Sequence, residues 1–236
     1  MFSRLSSKKV FFQAGLKGIF ALTIFFMCVP GVAGALELTV SPTGANNDQT
    51  VINNALEAVK NAGGGKVTLN AGIYKVDNTV IIWSNTNLTG SPDAVILVSP
   101  TSSQWFVNSI GIISCKESVK NVEIFGFQIN GNLGALPASY ANTPGHYKDA
   151  ERCIILHGNT GDYAENIKIH DMKLYDSFSD GCYIYYAKNV KVYNNFISNC
   201  QHEGIFWSVV IGGELFNNKV AHSALPSLYI VPQSHA

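Results

Sequence analysis

Toward the carboxyl end of this chain, apolar and often β-branched residues alternate with polar ones in runs of four or five, and the runs recur every 23 positions. Residues 166–174 (NIKIHDMKL) line up with 189–197 (NVKVYNNFI) and, more loosely, with 212–220, which hold Leu215, Asn217 and Asn218. The register persists downstream. Asp180-Gly181-Cys182-Tyr183-Ile184 falls on Glu203-Gly204-Ile205-Phe206-Trp207, and then on Pro226-Ser227-Leu228-Tyr229-Ile230. Alternation of this kind marks strands buried on one face, and no apolar face recurs there at helical spacing. A fixed period of this length means stacked units, none able to bury its apolar face alone. Leucine-rich repeats would need an L-x-x-L-x-L-x-x-N frame, and propeller blades about 40 residues each. Short strands in a 23-residue coil fit a parallel β-helix, each strand pairing with its copy one coil later at about 4.8 Å.

One helical pattern stands upstream. Val51, Ile52, Ala55, Leu56 and Val59 share a face within residues 50–62, Asp48 precedes them, and Gly63-Gly64-Gly65 ends the run. Such a helix can close the open end of a stacked coil. Strands are predicted over 66–69 and 73–76, joined by the turn Asn70-Ala71-Gly72.

Composition divides the chain in two. Residues 1–35 hold Arg4, Lys8, Lys9 and Lys17, then an apolar run from Ile19 to Val29 and a small-residue A-x-A ending at Ala35. This reads as a secretory signal peptide cleaved before Leu36, with an uncleaved membrane anchor as the rival. Residues 36–236 form the β-helix domain and carry 12 basic against 16 acidic groups, a formal charge of −4. No basic footprint for nucleic acid is visible. Cys115, Cys153, Cys182 and Cys200 remain; Cys182 sits at an inward strand position, so buried thiols are expected, and no spacing matches a zinc site.

Residues 47–52 (NDQTVI), the Gly63-Gly64-Gly65-Lys66-Val67 junction and Ala71-Gly72-Ile73-Tyr74 resemble the amino-terminal cap and first coil of pectin-lyase-like right-handed β-helix proteins. The later repeats are similar to that family's coils. The resemblance covers about residues 38 to 230 and implies an all-β, right-handed parallel β-helix with an amino-terminal capping α-helix. Members include pectate lyases, polygalacturonases, other polysaccharide enzymes, phage tailspikes and adhesins. It therefore implies a secreted or cell-surface protein whose partner is polysaccharide, while one fold hosts many functions.

Several columns of the repeat carry candidate chemistry. Asp171, Asn194 and Asn217 recur at one position and are read as a structural ladder between coils. If Cys153 aligns with Cys182, then Glu151, Asp180 and Glu203 form a column of carboxylates in successive coils, an arrangement that divides acid and base roles. Arg152, the only arginine after residue 35, can hold a uronate carboxylate, and His202 is a further acid or base. Tyr183, Phe206 and Tyr229 share the outward register, so a stripe of rings is expected to line a sugar-binding groove. Residues 132–148, with Tyr140 and Tyr147 as further binding candidates, form an insertion beside it.

Ser179-Asp180-Gly181-Cys182 resembles the N-T-D-G locus of polygalacturonases, and His202-Glu203 falls where their paired aspartates lie. Only one carboxylate stands in place of that pair, Ala221-His222-Ser223 replaces the following G-H-G, and the R-I-K signature is missing. A lyase would use a base and a charge neutraliser, often calcium held by carboxylates. The reading is a β-helix that binds acidic polysaccharide, with two alternatives left open: cleavage as a lyase or glycoside hydrolase, or a non-catalytic adhesive or carbohydrate-binding module. Residues 232–236 follow a strand with no capping helix, which either truncation of the chain or self-association through that end would explain.

Overall fold

The computed structural model describes residues 35–99, 111–135, 151–225 and 228–231. The proposed leader, Tyr140 and Tyr147 lie outside these residues. Among the described residues, no helix is long and apolar enough to cross a membrane.

Among the described residues, eighteen parallel strands wind into stacked coils of three faces. The first face stacks β1 (Leu36–Val40), β2 (Gly65–Leu69), β5 (Thr86–Gly90), β8 (Lys120–Phe125) and β11 (Ala164–His170). The second stacks β3 (Gly72–Val76), β6 (Ala94–Val98), β9 (Gln128–Asn130), β12 (Lys173–Tyr175), β14 (Phe196–Ser198) and β17 (Lys219–Ala221). The third stacks β4 (Val80–Ile82), β7 (Gly111–Cys115), β10 (Arg152–His157), β15 (Ile205–Ile211) and β18 (Leu228–Val231). One long strand, β13 (Cys182–Tyr193), joins two faces: its first half pairs with β10 and β15, its second with β11 and β16 (Glu214–Phe216). From β11 onward the pairings of β13 are those that the 23-residue register predicts, with Ala164 opposite Ala187, Cys182 opposite Ile205 and Lys191 opposite Glu214. Earlier coils are longer. Equivalent asparagines are separated by 36 residues between Asn85 and Asn121 and by 45 between Asn121 and Asn166.

Inward side chains such as Val67, Leu88, Ile124, Ile169 and Val192 form one apolar column through the coils. The helix α1 (Gln49–Asn61) covers its amino-terminal end with Ile52, Ala55, Leu56 and Val59. Asp48 makes no side-chain bond to the helix. It is buried, and accepts from Thr43 N (2.8 Å) and Lys75 N (3.0 Å), tying the cap to the first full coil.

The corners explain the abundance of asparagine. A chain turning from one face to the next needs a left-handed residue, which Asn and Asp tolerate better than most. Asn85, Asn121, Asn166 and Asn189 all have φ between 53° and 60°, and their amides bond coil to coil at 2.8–3.3 Å. Asp171, Asn194 and Asn217 take the same conformation at a second corner. The expected ladder there is displaced by one position: Asn195 Nδ2 donates to Asn218 Oδ1 at 2.9 Å, and Asn195 Oδ1 accepts from Met172 N at 3.0 Å. Tyr186 (φ 49°) and Val209 (φ 55°) hold the third corner, where a bulky side chain costs on the order of 1 kcal/mol or more.

All four described cysteines are free and buried, as expected from the inward register. Leu228 and Ile230 are exposed on β18, and the test of self-association there is a sedimentation measurement across protein concentration, which should show dimers if the reading holds.

Candidate functional site

Two loops of equal length, leading from β12 to β13 and from β14 to β15, lie one on the other. Gly181 N donates to Glu203 O (3.1 Å) and Cys182 N to Gly204 O (2.9 Å). Gly181 is required by this close approach: a Cβ there would stand 2.5 Å from Ile197 and 2.7 Å from Gly204 O. The stacking brings Asp180 beside His202 and Glu203. Asp180 is fully buried; its Oδ2 accepts from Arg152 Nε at 2.7 Å, and its Oδ1 lies 2.7 Å from His202 Nδ1 and accepts from Glu203 N at 3.0 Å. His202 Nδ1 also meets Glu203 Oε2. Of the four side chains, His202 retains the most exposure, at 12%.

Glu151 does not join this cluster as the sequence register predicts. Ile154, not Cys153, stands opposite Cys182, so Arg152 takes the place beside Asp180. The insertion before β10 hides this one-residue slip. Glu151 is fully buried, its Oε1 accepts from Phe178 N at 2.7 Å, and its Oε2 has no hydrogen-bond partner among the described residues. Burial drives its carboxyl well above the usual range, against the opposing pull of the Phe178 N–H. Folded Glu151 therefore keeps its proton where the unfolded chain, with an ordinary value of about 4.3, has lost it. The folded state binds more protons, so stability falls as pH rises above that value, until Glu151 itself ionises. Glu151→Gln keeps an oxygen for Phe178 and has no proton to lose; its urea midpoint should fall less between about pH 4 and pH 8 than that of the wild type. Parallel slopes would refute this role.

The predicted aromatic stripe is present, but its rings face one another. Tyr183 and Phe206 stack at 4.5 Å and 1°, Phe206 and Tyr229 at 5.3 Å and 24°, and the Arg152 guanidinium covers Tyr183 at 4.6 Å. Along the stack the ring faces are turned toward one another, which leaves their edges outward. A second ladder escaped the sequence reading. Phe125, His170, Tyr193 and Phe216 stack on the first face at 4.8, 4.5 and 4.8 Å, with His170 held between Asp171 Oδ2 (2.7 Å) and Glu123 Oε1 (3.2 Å). The signal was the repeat alignment itself, which places His170, Tyr193 and Phe216 in one column.

No protein-family model and no curated protein matches the chain. Solved structures do. A protein assigned as a glycosyl hydrolase from Parabacteroides merdae superposes with a TM-score of 0.66 at 18% identity, over 81% of this chain and 95% of its own. The chain has the pectin-lyase-like right-handed β-helix fold. The A-module of a mannuronan C-5 epimerase from Azotobacter vinelandii shares this β-helix with a TM-score of 0.60 at 16% identity, over 78% of this chain and 56% of the module. A polygalacturonase from Erwinia carotovora does so at 0.56 and 12% identity, over 87% of this chain and 72% of the enzyme. At these identities the likeness establishes the fold.

Asp180, His202 and Glu203 of the β-helix offer three ligand atoms within 4.8 Å of one another. They do not suit calcium, which takes six to eight oxygens. One donor is an imidazole nitrogen, and a guanidinium already occupies Asp180 Oδ2.

Proposed function

We propose that this β-helix is exported by its leading segment, binds an acidic polysaccharide on the face carrying Arg152, Tyr183 and His202, and cleaves it by β-elimination. The burial of Asp180 carries this reading. Its oxygens are engaged by Arg152, His202 and Glu203 N, so it orients its neighbours and does not reach a glycosidic oxygen. A glycosidase of the usual kind needs two carboxyl groups flanking the bond. Here Glu203 alone is left, turned toward His202.

Elimination needs a base beside the uronate carboxylate and positive charge upon it. His202 Nδ1 faces two carboxylates and so carries hydrogen, which assigns proton exchange to Nε2. The C5 proton passes to Nε2, its electron pair forms the C4–C5 double bond, the C4–O bond breaks, and the leaving oxygen takes a proton. Tyr183, whose phenol is kept protonated first by burial, is the candidate donor. Arg152 supplies the charge that stabilises the carbanion.

The near-complete burial of Arg152, Asp180 and Glu203 favours a second reading, in which the cluster holds two loops together in a non-catalytic carbohydrate-binding or adhesive module. Incubation with polygalacturonate, alginate and other polyuronates, with and without calcium, separates the two. Elimination yields unsaturated ends, and His202→Gln should reduce them by about a hundredfold or more while leaving the circular dichroism spectrum unchanged. New reducing ends without unsaturation would select hydrolysis, and neither product on any substrate would leave the binding module.

A further inference from the structure

On the third face of the β-helix a short aromatic ladder stops within the coils. His157 and Tyr185 stack at 5.0 Å and 16°, but the next coil places Ser208 opposite Tyr185. One face of Tyr185 therefore meets no ring of the next coil among the described residues, whereas Tyr183 in the adjoining column lies between Arg152 and Phe206. Beside this gap stands Tyr186, in edge contact with Tyr185 (5.9 Å) and Tyr163 (6.2 Å), and Lys188 Nζ lies 4.4 Å above Tyr163. These side chains are half-buried and the surface is reached from solvent.

Tyr186 adds an independent observation. Among the described residues, Asn, Asp, His or Gly fill the left-handed corners except at Tyr186 and, one coil later, Val209, and Asn, Asp and Gly adopt that conformation with little strain. Tyrosine at φ 49° does not, and strain retained at a partly exposed aromatic residue points to a role for the side chain.

We propose that Tyr185, Tyr186 and Lys188, over the gap at Ser208, form a sugar subsite that takes an acidic residue of the polysaccharide. The sugar ring lies parallel to Tyr185 in the place where a ladder ring is missing, its C–H face on the π-face, with its carboxylate toward Lys188. Glu165 stands opposite Lys188 on the neighbouring strand and limits the site to a carboxylate that approaches from the Tyr186 side. Strand rise places Tyr186 about 10 Å from Tyr183, the length of two linked sugars, so the polysaccharide crosses the coil along β13 rather than running along the stack. This subsite rests on the acidic-polysaccharide reading above.

The test is calorimetric titration of the full β-helix with short oligogalacturonate and oligomannuronate, and with a neutral cello-oligosaccharide of equal length. Tyr186→Asn relieves the backbone strain and removes the ring; its thermal midpoint should equal or exceed that of the wild type while affinity for the uronate falls about tenfold or more. Ser208→Tyr should continue the ladder, fill the gap and reduce binding comparably without loss of stability. Wild-type binding of a uronate that both variants retain would overturn the subsite alone. Failure of the wild type to bind either uronate would overturn the acidic-polysaccharide reading and the subsite with it, and equal affinity for the neutral sugar would overturn the role of Lys188.

Discussion

Asp180→Ala is expected to lower the unfolding free energy by about 3–5 kcal/mol, the cost of removing one member of a buried charge pair. Asp180 is 0% exposed and Arg152 5%, so water cannot easily replace the lost carboxylate. The same change deprives Glu203 N of its acceptor and leaves His202 with Glu203 alone of its two carboxylates. Asp180→Asn should cost less, because an amide oxygen can still accept from Glu203 N. The double variant Arg152→Met with Asp180→Leu should cost less than the sum of the two single changes, since the desolvation of both charges disappears together. Urea titrations of the wild type, the Arg152→Met and Asp180→Leu single variants and the double variant check the coupling, and those of Asp180→Ala and Asp180→Asn check the cost of the lost carboxylate. Strict additivity would show that the two side chains do not act as a pair.

Asn195→Leu is expected to destabilise by about 3 kcal/mol or more, although the side chains have similar volume. Asn195 is 2% exposed and lies between coils, where its amide serves Met172 N, Ile169 O and Asn218 Oδ1 at 2.9–3.0 Å. Leucine would leave the Met172 N–H and the Asn195-facing side of Asn218 without that partner, each at about 1–3 kcal/mol. Asn121→Ala makes the control. Its ladder is exposed, so water can take over the lost bonds, and the change should cost well under half as much. Equal losses in the two variants would remove the distinction between inner and outer ladders.

The two asparagine ladders also show how far the sequence was legible. The columns were visible, because the last coils have no insertions and every strand pair there repeats at one spacing. Which of two neighbouring asparagines turns inward was not visible, since that depends on the left-handed corner: Asp171, Asn194 and Asn217 spend themselves on the backbone turn, and Asn195 and Asn218 then point between the coils. The misplaced Glu151 has a similar origin, for counting across the insertion before β10 cannot decide between two adjacent strand positions. In the aromatic stripe the column was correct and its orientation was not. Rings at equal positions in stacked coils lie about 4.8 Å apart, close to their own stacking distance, so they turn faces to each other before any ligand arrives. Gaps in such a ladder are thus more telling than its rungs.

The four thiols have a use beyond packing. Cys115, Cys153, Cys182 and Cys200 fall in successive coils, and burial pushes the Cys115 thiol up to about 11 and the Cys200 thiol up to about 12. Thiolate is therefore scarce at neutral pH, and alkylation must wait until a coil opens. Each cysteine is a clock for its own turn of the solenoid: the order in which they are alkylated, read by peptide mass, would give the direction in which the coil unzips.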